Sequence, residues 1–328
     1  MEKLASTGLS KEAIIEAYKH VVRSRLLDER IWQLTRIGKT SFNISGQGHE
    51  VGLVAMALAF DHDKDFFLPY YRDMTACMVW GMSCTDVLLA TFGKDADPNS
   101  HGRQMPNHFG SKEHNIVSHS SPVSTQYPVA AGVALANKLD GSDSISLTTT
   151  GEGSFNQGEC AEAMNISGVM QLPVIFVVEN NGYAISVPAK HQYHAESLAL
   201  RGPGYGFEGE RVDGFDFAQS YKAFKKAVEK VRQGGGPHLI ELMVTRLTSH
   251  SSDDDQTVYR SPEELEEVKA NDPIKKFKAQ LIEEGYLTEA ENEKIYQELQ
   301  AEVDQATDEA EASPDPTPES LYEQVYAD

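Results

Sequence analysis

Two short runs hold residues that could do chemistry together. One is TTTGEGSFNQGE, with a carboxylate between two glycines; the other, after a helix-length interval, is VIFVVENNGYAISVP, with paired asparagines. Glu152 and Asn181 stand 29 positions apart, about the length of one strand-helix-strand unit with its turns. Each follows a β-prone run, so in a parallel sheet both would reach the carboxyl edge, where such sheets bind ligands. Gly151 and Gly153 permit a tight turn and close approach of a ligand, and the amides opening the next helix turn a positive dipole end toward phosphate. A carboxylate, a side-chain amide oxygen and a backbone carbonyl are hard ligands of the kind magnesium takes alongside phosphate oxygens and water. The two runs thus read as a metal-diphosphate anchor. Taken alone, the Gly-Glu-Gly turn is also an ordinary strand-to-helix turn with a carboxylate near a helix N-terminus. Rival motifs fail: Asn156 stands where a dinucleotide fingerprint needs glycine, and Gln33 where a P-loop ending in Gly38-Lys39-Thr40 needs one.

The elements that must position these residues alternate. Ile14, Ile15, Tyr18, Val21, Val22, Leu26 and Ile31 recur at helical spacing behind Ser10, a fitting N-cap, and predict an opening helix to about Arg36. GHEVGLVAMALAF reads as a buried helix and DFFLPYYRD as a strand entering a polar loop. Residues 95–120 lack periodicity, and irregular segments of that length are often functional. STQYPVAAGVALANKL reads as a helix packed through small residues, SISLTTTGEG and VIFVVENN as strands, the stretch from there to about Gly214 as a loop, FAQSYKAFKKAVEKVRQGGG as a helix and HLIELMVTRL as a strand. This alternation predicts an α/β fold with a doubly wound, mostly parallel sheet, spanning residues 1–260 with its N-terminal helical extension. Residues 261–328 read as a helical C-terminal extension packed on the same unit. SPEE and TEAE read there as capping boxes, the glutamate-rich run as a solvated helical face, and SPDPTPESLYEQVYAD as a Pro-punctuated linker with a short amphipathic segment.

The balance of 29 basic against 50 acidic residues, net −21, makes binding to nucleic acid or an anionic membrane unfavourable and points to small molecules or a protein partner. Cys77, Cys84 and Cys160 show no metal-ligand spacing and no paired framework. With no signal-type N-terminus and no span-length apolar run, they point to a reducing, cytoplasmic compartment. His250 follows the last predicted strand at the same sheet edge as the anchor and opens the polar loop SHSSDDDQTVYRSPEE. Histidine can move a proton near neutral pH, which marks it as the catalytic candidate.

Gly151-Glu152-Gly153 with Asn180-Asn181 resembles the thiamin diphosphate motif, with Glu in place of the commoner Asp. Together with YYRD, GRQMPNHFGSKE, SSPVSTQYP, NNGYAISVP, RVDG, RLTSHSSDDD, YRSPEE and DPI, the chain is similar over most of its length to alpha chains of the thiamin-diphosphate-dependent decarboxylating component of branched-chain 2-oxo acid dehydrogenase complexes. Pyruvate and acetoin members share the anchor, but GRQMPNHFG and NNGYAIS resemble branched-chain members more. The resemblance implies a thiamin-diphosphate-binding fold and oxidative decarboxylation of 2-oxo acids such as 3-methyl-2-oxobutanoate, with reductive acylation of a lipoyl group on a transacylase. It implies magnesium held by Glu152, the Asn181 side chain and the Tyr183 carbonyl, and diphosphate held by Tyr71 and Arg72 beside Gly151, Gly153 and Ser154. Ser121 and Val123 would lie near the cofactor rings, Ala184 and Ile185 at the aminopyrimidine, and His250 would act in catalysis. Ser120, Pro122, Thr125 and Gln126 match a potassium site in some relatives. His108 and His119 stay open between structural and catalytic roles, and Asp253, Asp254 and Asp255 are expected to face solvent or pair with loop-ordering arginines. No pyrimidine-binding domain is legible, so a beta chain is expected to supply it with its catalytic glutamate in an α2β2 assembly. The alternative in another class is a paralogue that keeps the fold and binds no cofactor.

Overall fold

In a computed structural model, which describes residues 1–323, five strands form one parallel sheet: β1 (Phe66–Leu68), β2 (Ser146–Gly151), β3 (Val174–Asn180), β4 (Gly209–Asp213) and β5 (His238–Met243), in the order β1-β2-β3-β5-β4. β3 is central and buried along its whole length, which is why VIFVVEN is an unbroken apolar run ending in polar residues and not an alternating one. Its side chains divide the core in two. Ile175 and Val177 join Ile240 and Leu242 on one face, while Val174, Phe176 and Val178 join Leu239 on the other.

The helices between the strands follow from handedness. The step from β2 to β3 and the step from β4 to β5 run in opposite directions across the sheet, so right-handed crossovers place their helices on opposite faces. The first, α6 (Gly158–Met170), packs with α5 (Gln126–Leu139) on the Phe176 face. The second, α7 (Phe217–Arg232), covers the Ile175 face with α1 (Lys11–Arg36), α2 (Glu50–Ala57), α3 (Met74–Trp80) and α4 (Cys84–Phe92). The sheet is thus doubly wound, as the sequence predicts.

The C-terminal helices α8 (Pro262–Ala270), α9 (Pro273–Glu283) and α10 (Glu289–Ala312) follow without a break in the chain. Phe277 of α9 packs against Tyr18 of α1 and Phe217 of α7, at centroid distances of 5.7 and 4.9 Å. The thin stripe Ile295, Leu299, Val303, Ala306 and Ala310 of α10 is buried in the same cluster as α1. The acidic run is less purely solvated than its composition suggests, since Glu302, Asp304 and Glu311 pair with Arg23, Arg30 and Lys39.

Ser10 caps α1 by accepting from the Ala13 amide, and Thr288 and Glu291 form the predicted capping box on α10. At α8 only half of the expected box is made. Ser261 caps the Glu264 amide, but the Glu264 carboxylate turns to Arg260 and the Tyr183 hydroxyl, so SPEE serves the loop before it. The stretch read as loop before Gly214 contains the edge strand β4, of which only Val212 is buried. Of the expected terminal amphipathic segment, Glu319–Tyr322 form a short 3-10 turn, and residues 324–328 lie outside the described residues.

Candidate functional site

β2 and β3 end side by side, with Gly151 in register with Glu179, and the turns beyond them cross closely. The Asn181 amide donates to Glu152 Oε2 at 3.4 Å, and Gln192 Nε2 donates to Oε1 at 3.3 Å. Gly153 is required at this crossing, because a Cβ there would lie 2.4 Å from the Ala184 Cβ. Glu152 is 1% exposed and forms no ion pair among the described residues. Burial holds its carboxyl above the usual range, as expected of an anion sealed away from water with only neutral donors. Asn181 Oδ1 accepts from the Tyr183 amide at 3.1 Å.

Across the same cleft lies a buried cation without a counterion, Arg72, and a second, Arg246, stands behind the cleft wall at Ile185. Arg72 is 2% exposed and donates to the Ser45 carbonyl and to His250 Nδ1 at 3.3 Å, leaving Nε unpartnered. Its guanidinium stacks over Tyr71, 5.4 Å from the ring centroid. Arg246 is 1% exposed; it donates to the Ile185 carbonyl at 3.0 Å and to the Tyr259 hydroxyl, while Nε and Nη1 have no partner. Ile185 itself takes φ +54, a conformation β-branched residues avoid, and is 55% exposed at the rim. Such strain persists where the surroundings impose it. Burying one unpaired carboxylate and two unpaired guanidiniums costs several kcal/mol per charge by order of magnitude. A divalent cation at Glu152 and a polyanion at Arg72 would offset much of that cost together, so the residues present fit a metal-diphosphate group.

The cleft has a volume of about 280 Å³. Tyr71, Arg72, Val123, Gly151, Glu152, Gly153, Ser154, Asn181, Tyr183, Ala184, Ile185 and His250 all line it. Ser121 does not, because its hydroxyl bonds His108 Nε2 at 2.7 Å outside the cleft. His108 stacks on His119, centroids 5.1 Å apart, and neither lines the cleft. The hydroxyls of Ser120 and Thr125 bond each other at 2.7 Å, and Gln126 donates to the Thr149 carbonyl. A larger groove of about 680 Å³ runs nearby between α1 and the loop after β5, lined by Trp32, Arg36 and Asp253 among others. It contains neither Glu152 nor Arg72, both of which line the smaller cleft, so the smaller cleft is the better chemical site. No cluster of three or more His, Cys, Asp or Glu with metal-binding geometry exists among the described residues, which fits a site whose protein ligands are one carboxylate plus neutral oxygens.

His250 sits at the rim with a defined tautomer. Arg72 donates to Nδ1, so Nε2 carries the ring hydrogen in the neutral form. Burial and then the Arg72 and Arg246 charges push its pKa down to about 4. Its amide donates to Asp254 Oδ2 at 2.7 Å, and the same carboxylate accepts from the Tyr259 hydroxyl. Of the two expectations for Asp253–Asp255, facing solvent holds for Asp253 and Asp255, and no direct pairing with an arginine is made. Asp254 reaches Arg246 only through Tyr259, and Asp255 caps Thr257. Tyr70 and Gln157 also line the cleft, and Gln192 and His49 touch the anchor residues. Tyr70 stands in the same YYRD run as Arg72, whereas His49 and Gln192 belong to segments read only as helix and loop.

Comparison with known proteins bears on this geometry. The family described as "Dehydrogenase E1 component" matches residues 18–319. The chain is 47% identical to the 2-oxoisovalerate dehydrogenase subunit alpha of Bacillus subtilis (strain 168), over 98% of this chain and 97% of that protein. It is 34% identical to the mitochondrial 2-oxoisovalerate dehydrogenase subunit alpha of Homo sapiens, over 97% of this chain and 71% of that protein. The mitochondrial alpha 1 subunit of Arabidopsis thaliana is 31% identical over 97% of this chain and 67% of its own length.

Proposed function

Since the chain belongs to the dehydrogenase E1 component family, we propose that it is the alpha subunit of a branched-chain 2-oxo acid dehydrogenase. It decarboxylates 3-methyl-2-oxobutanoate and its branched relatives and passes the acyl group to a lipoyl-bearing transacylase. The observation that carries this reading is the pairing of a buried, ion-free Glu152 with Asn181 in one cleft with Arg72, a buried guanidinium that lacks a counterion.

In this reading Glu152, Asn181 Oδ1 and the Tyr183 carbonyl hold magnesium. Arg72 and Tyr71 bind the diphosphate, with the planar guanidinium matching phosphate oxygens, and Ser154 lies beside it where α6 is about to begin. Val123, Ala184 and Ile185 give the cleft an apolar wall for the organic part of the cofactor. Thiamin diphosphate, when bound, supplies the nucleophilic ring carbon and the electron-accepting ring that decarboxylation of a 2-oxo acid needs. His250 presents its Nε2 hydrogen to an oxygen that gains negative charge, and Arg72 at Nδ1 holds the ring in that tautomer. Ser120, Pro122, Thr125 and Gln126 remain the candidates for a potassium ion.

The site needs a second chain. Among the cleft-lining residues Glu152 is the one carboxylate, and it is committed to the metal, so the catalytic glutamate and the pyrimidine-binding domain come from a beta chain in an α2β2 assembly. Val129 of α5 and Ile166 and Val169 of α6 lie exposed on the face away from the sheet and suit such an interface. No helix among the described residues is long and apolar enough to cross a membrane, and three free, buried thiols fit a reducing cytoplasm. The test is to reconstitute the chain with its beta partner and compare specificity constants for 3-methyl-2-oxobutanoate and pyruvate. The branched acid should be preferred by at least about tenfold, the scale of one or two methylenes in an apolar pocket. A higher specificity constant for pyruvate would overturn the substrate assignment.

A further inference from the structure

An asparagine amide can present either its oxygen or its nitrogen to a ligand, and the two arms are nearly the same shape. Only the oxygen serves a hard cation. If Asn181 is a metal ligand, something must decide which arm faces the metal. The Tyr183 amide, 3.1 Å from Oδ1, marks that arm as the acceptor. On the other arm, Nδ2 lies 3.4 Å from Nε2 of His49. His49 is fully buried at the start of α2, and its Nδ1 is 2.6 Å from Oε2 of Glu179, which is fully buried too and also accepts from the Tyr70 hydroxyl. With the Nδ1 hydrogen given to Glu179, Nε2 is left with a lone pair toward Asn181. A flipped amide would set Oδ1 against that lone pair.

The ring cannot easily move away. Gly48, the residue before it, has φ +99 and packs so tightly that a Cβ there would lie 2.2 Å from the Thr245 carbonyl oxygen. The His49 carbonyl is committed to the Leu53 amide of α2. Glu179 is anchored in turn by its place in β3, two residues before Asn181.

We infer that His49 is a positioning residue that, held by Glu179, orients the Asn181 amide so that its oxygen faces the metal. The inference rests on the reading of Asn181 as a magnesium ligand. Groups that orient metal ligands in this way typically change metal affinity by about 10- to 100-fold when removed.

The experiment uses the full chain in its complex with the beta partner and measures thiamin diphosphate binding by calorimetry across a magnesium titration, alongside thermal unfolding without cofactor. His49→Leu should raise the magnesium concentration for half-saturation by about 10- to 100-fold. His49→Gln, which again offers a donor and an acceptor on one planar group, should recover most of that loss. The decisive comparison repeats His49→Leu in an Asn181→Asp background. There both arms are oxygens and direction no longer matters, so the further loss should stay within about threefold. Equal losses in both backgrounds, or a His49→Leu complex that binds magnesium like the parent, would overturn the inference. A parent complex that shows no magnesium-dependent binding would instead overturn the anchor reading itself.

Discussion

Replacing Glu152 by Gln separates the anchor's function from its structural cost. In the folded chain this carboxylate is 1% exposed and is met only by the Gln192 amide at 3.3 Å and the Asn181 amide at 3.4 Å. Neither contact is a strong charge-assisted bond, so a neutral isostere loses little. It also relieves the burial of an unpaired charge, whose effect is visible in a raised carboxyl pKa. Without cofactor, Glu152→Gln should therefore unfold within about 1 kcal/mol of the parent or slightly above it. With cofactor the sign reverses. At thiamin diphosphate and magnesium about 100-fold over the dissociation constant, the parent gains about 2.7 kcal/mol from binding, a rise of roughly 5–10 °C in Tm at about 2–4 °C per kcal/mol. The variant should show almost none of that rise. Differential scanning fluorimetry with and without magnesium reads both terms in one plate. A variant that is strongly destabilised without cofactor, or that gains the same magnesium-dependent shift as the parent, would refute the assignment of Glu152 as metal ligand.

Gly153→Ala should fold but lose most cofactor affinity in calorimetry, because its Cβ would lie 2.4 Å from the Ala184 Cβ and push the two anchor turns apart; overpacking of this kind costs about 1–3 kcal/mol. Ser251→Glu places a carboxylate at an 8%-exposed position beside His250 and three residues from Asp254, so turnover should fall by about 100-fold or more while thiamin diphosphate binding persists; full activity would show that this loop does not pack at the active site. His119 has a pKa lowered to about 4, chiefly by burial, and its neutral ring accepts from the Phe109 amide and donates to the Ser120 carbonyl. The unfolded chain therefore binds this proton first: stability from His119 is present above pH 6.5, falls as pH drops toward about 4, and amounts to about 3 kcal/mol over that window. Denaturant melts of His119→Gln should show a flatter acid limb than the parent.

Much of this architecture is legible in the residues because local and tertiary demands coincide. The β3 run is apolar on both faces since both faces are covered, and the Ser10 cap and the apolar stripe of α1 mark the same helix that the core requires. The meeting of Glu152 and Asn181 is legible for a related reason: a carboxylate between glycines and a paired asparagine stand at equal depth on adjacent strands, where register alone brings them together. What escaped reading depends on contacts distant in sequence. β4 exposes most of its side chains at the sheet edge and carries no periodic signal. Ser121 lies two residues before Val123, which does face the cleft, but its own hydroxyl bonds His108 outside it. Glu264 leaves its capping box for Tyr183, 81 positions away, and His49 meets Asn181 across 132 positions. Arg246 lies in a quoted motif, yet only its burial and its unpartnered nitrogens set it apart from an ordinary basic residue.

That one cleft at the ends of β2 and β3 holds a metal and a diphosphate is the proposal on which the other roles depend. Its most direct test is a crystal structure of the complex grown with thiamin diphosphate and manganese in place of magnesium, with anomalous differences collected for the metal. The account predicts one strong peak about 2.0–2.3 Å from the Glu152 carboxylate, Asn181 Oδ1 and the Tyr183 carbonyl, with the diphosphate between it and Arg72. A peak elsewhere, or diphosphate density bound without contact to Glu152 and Asn181, would contradict it.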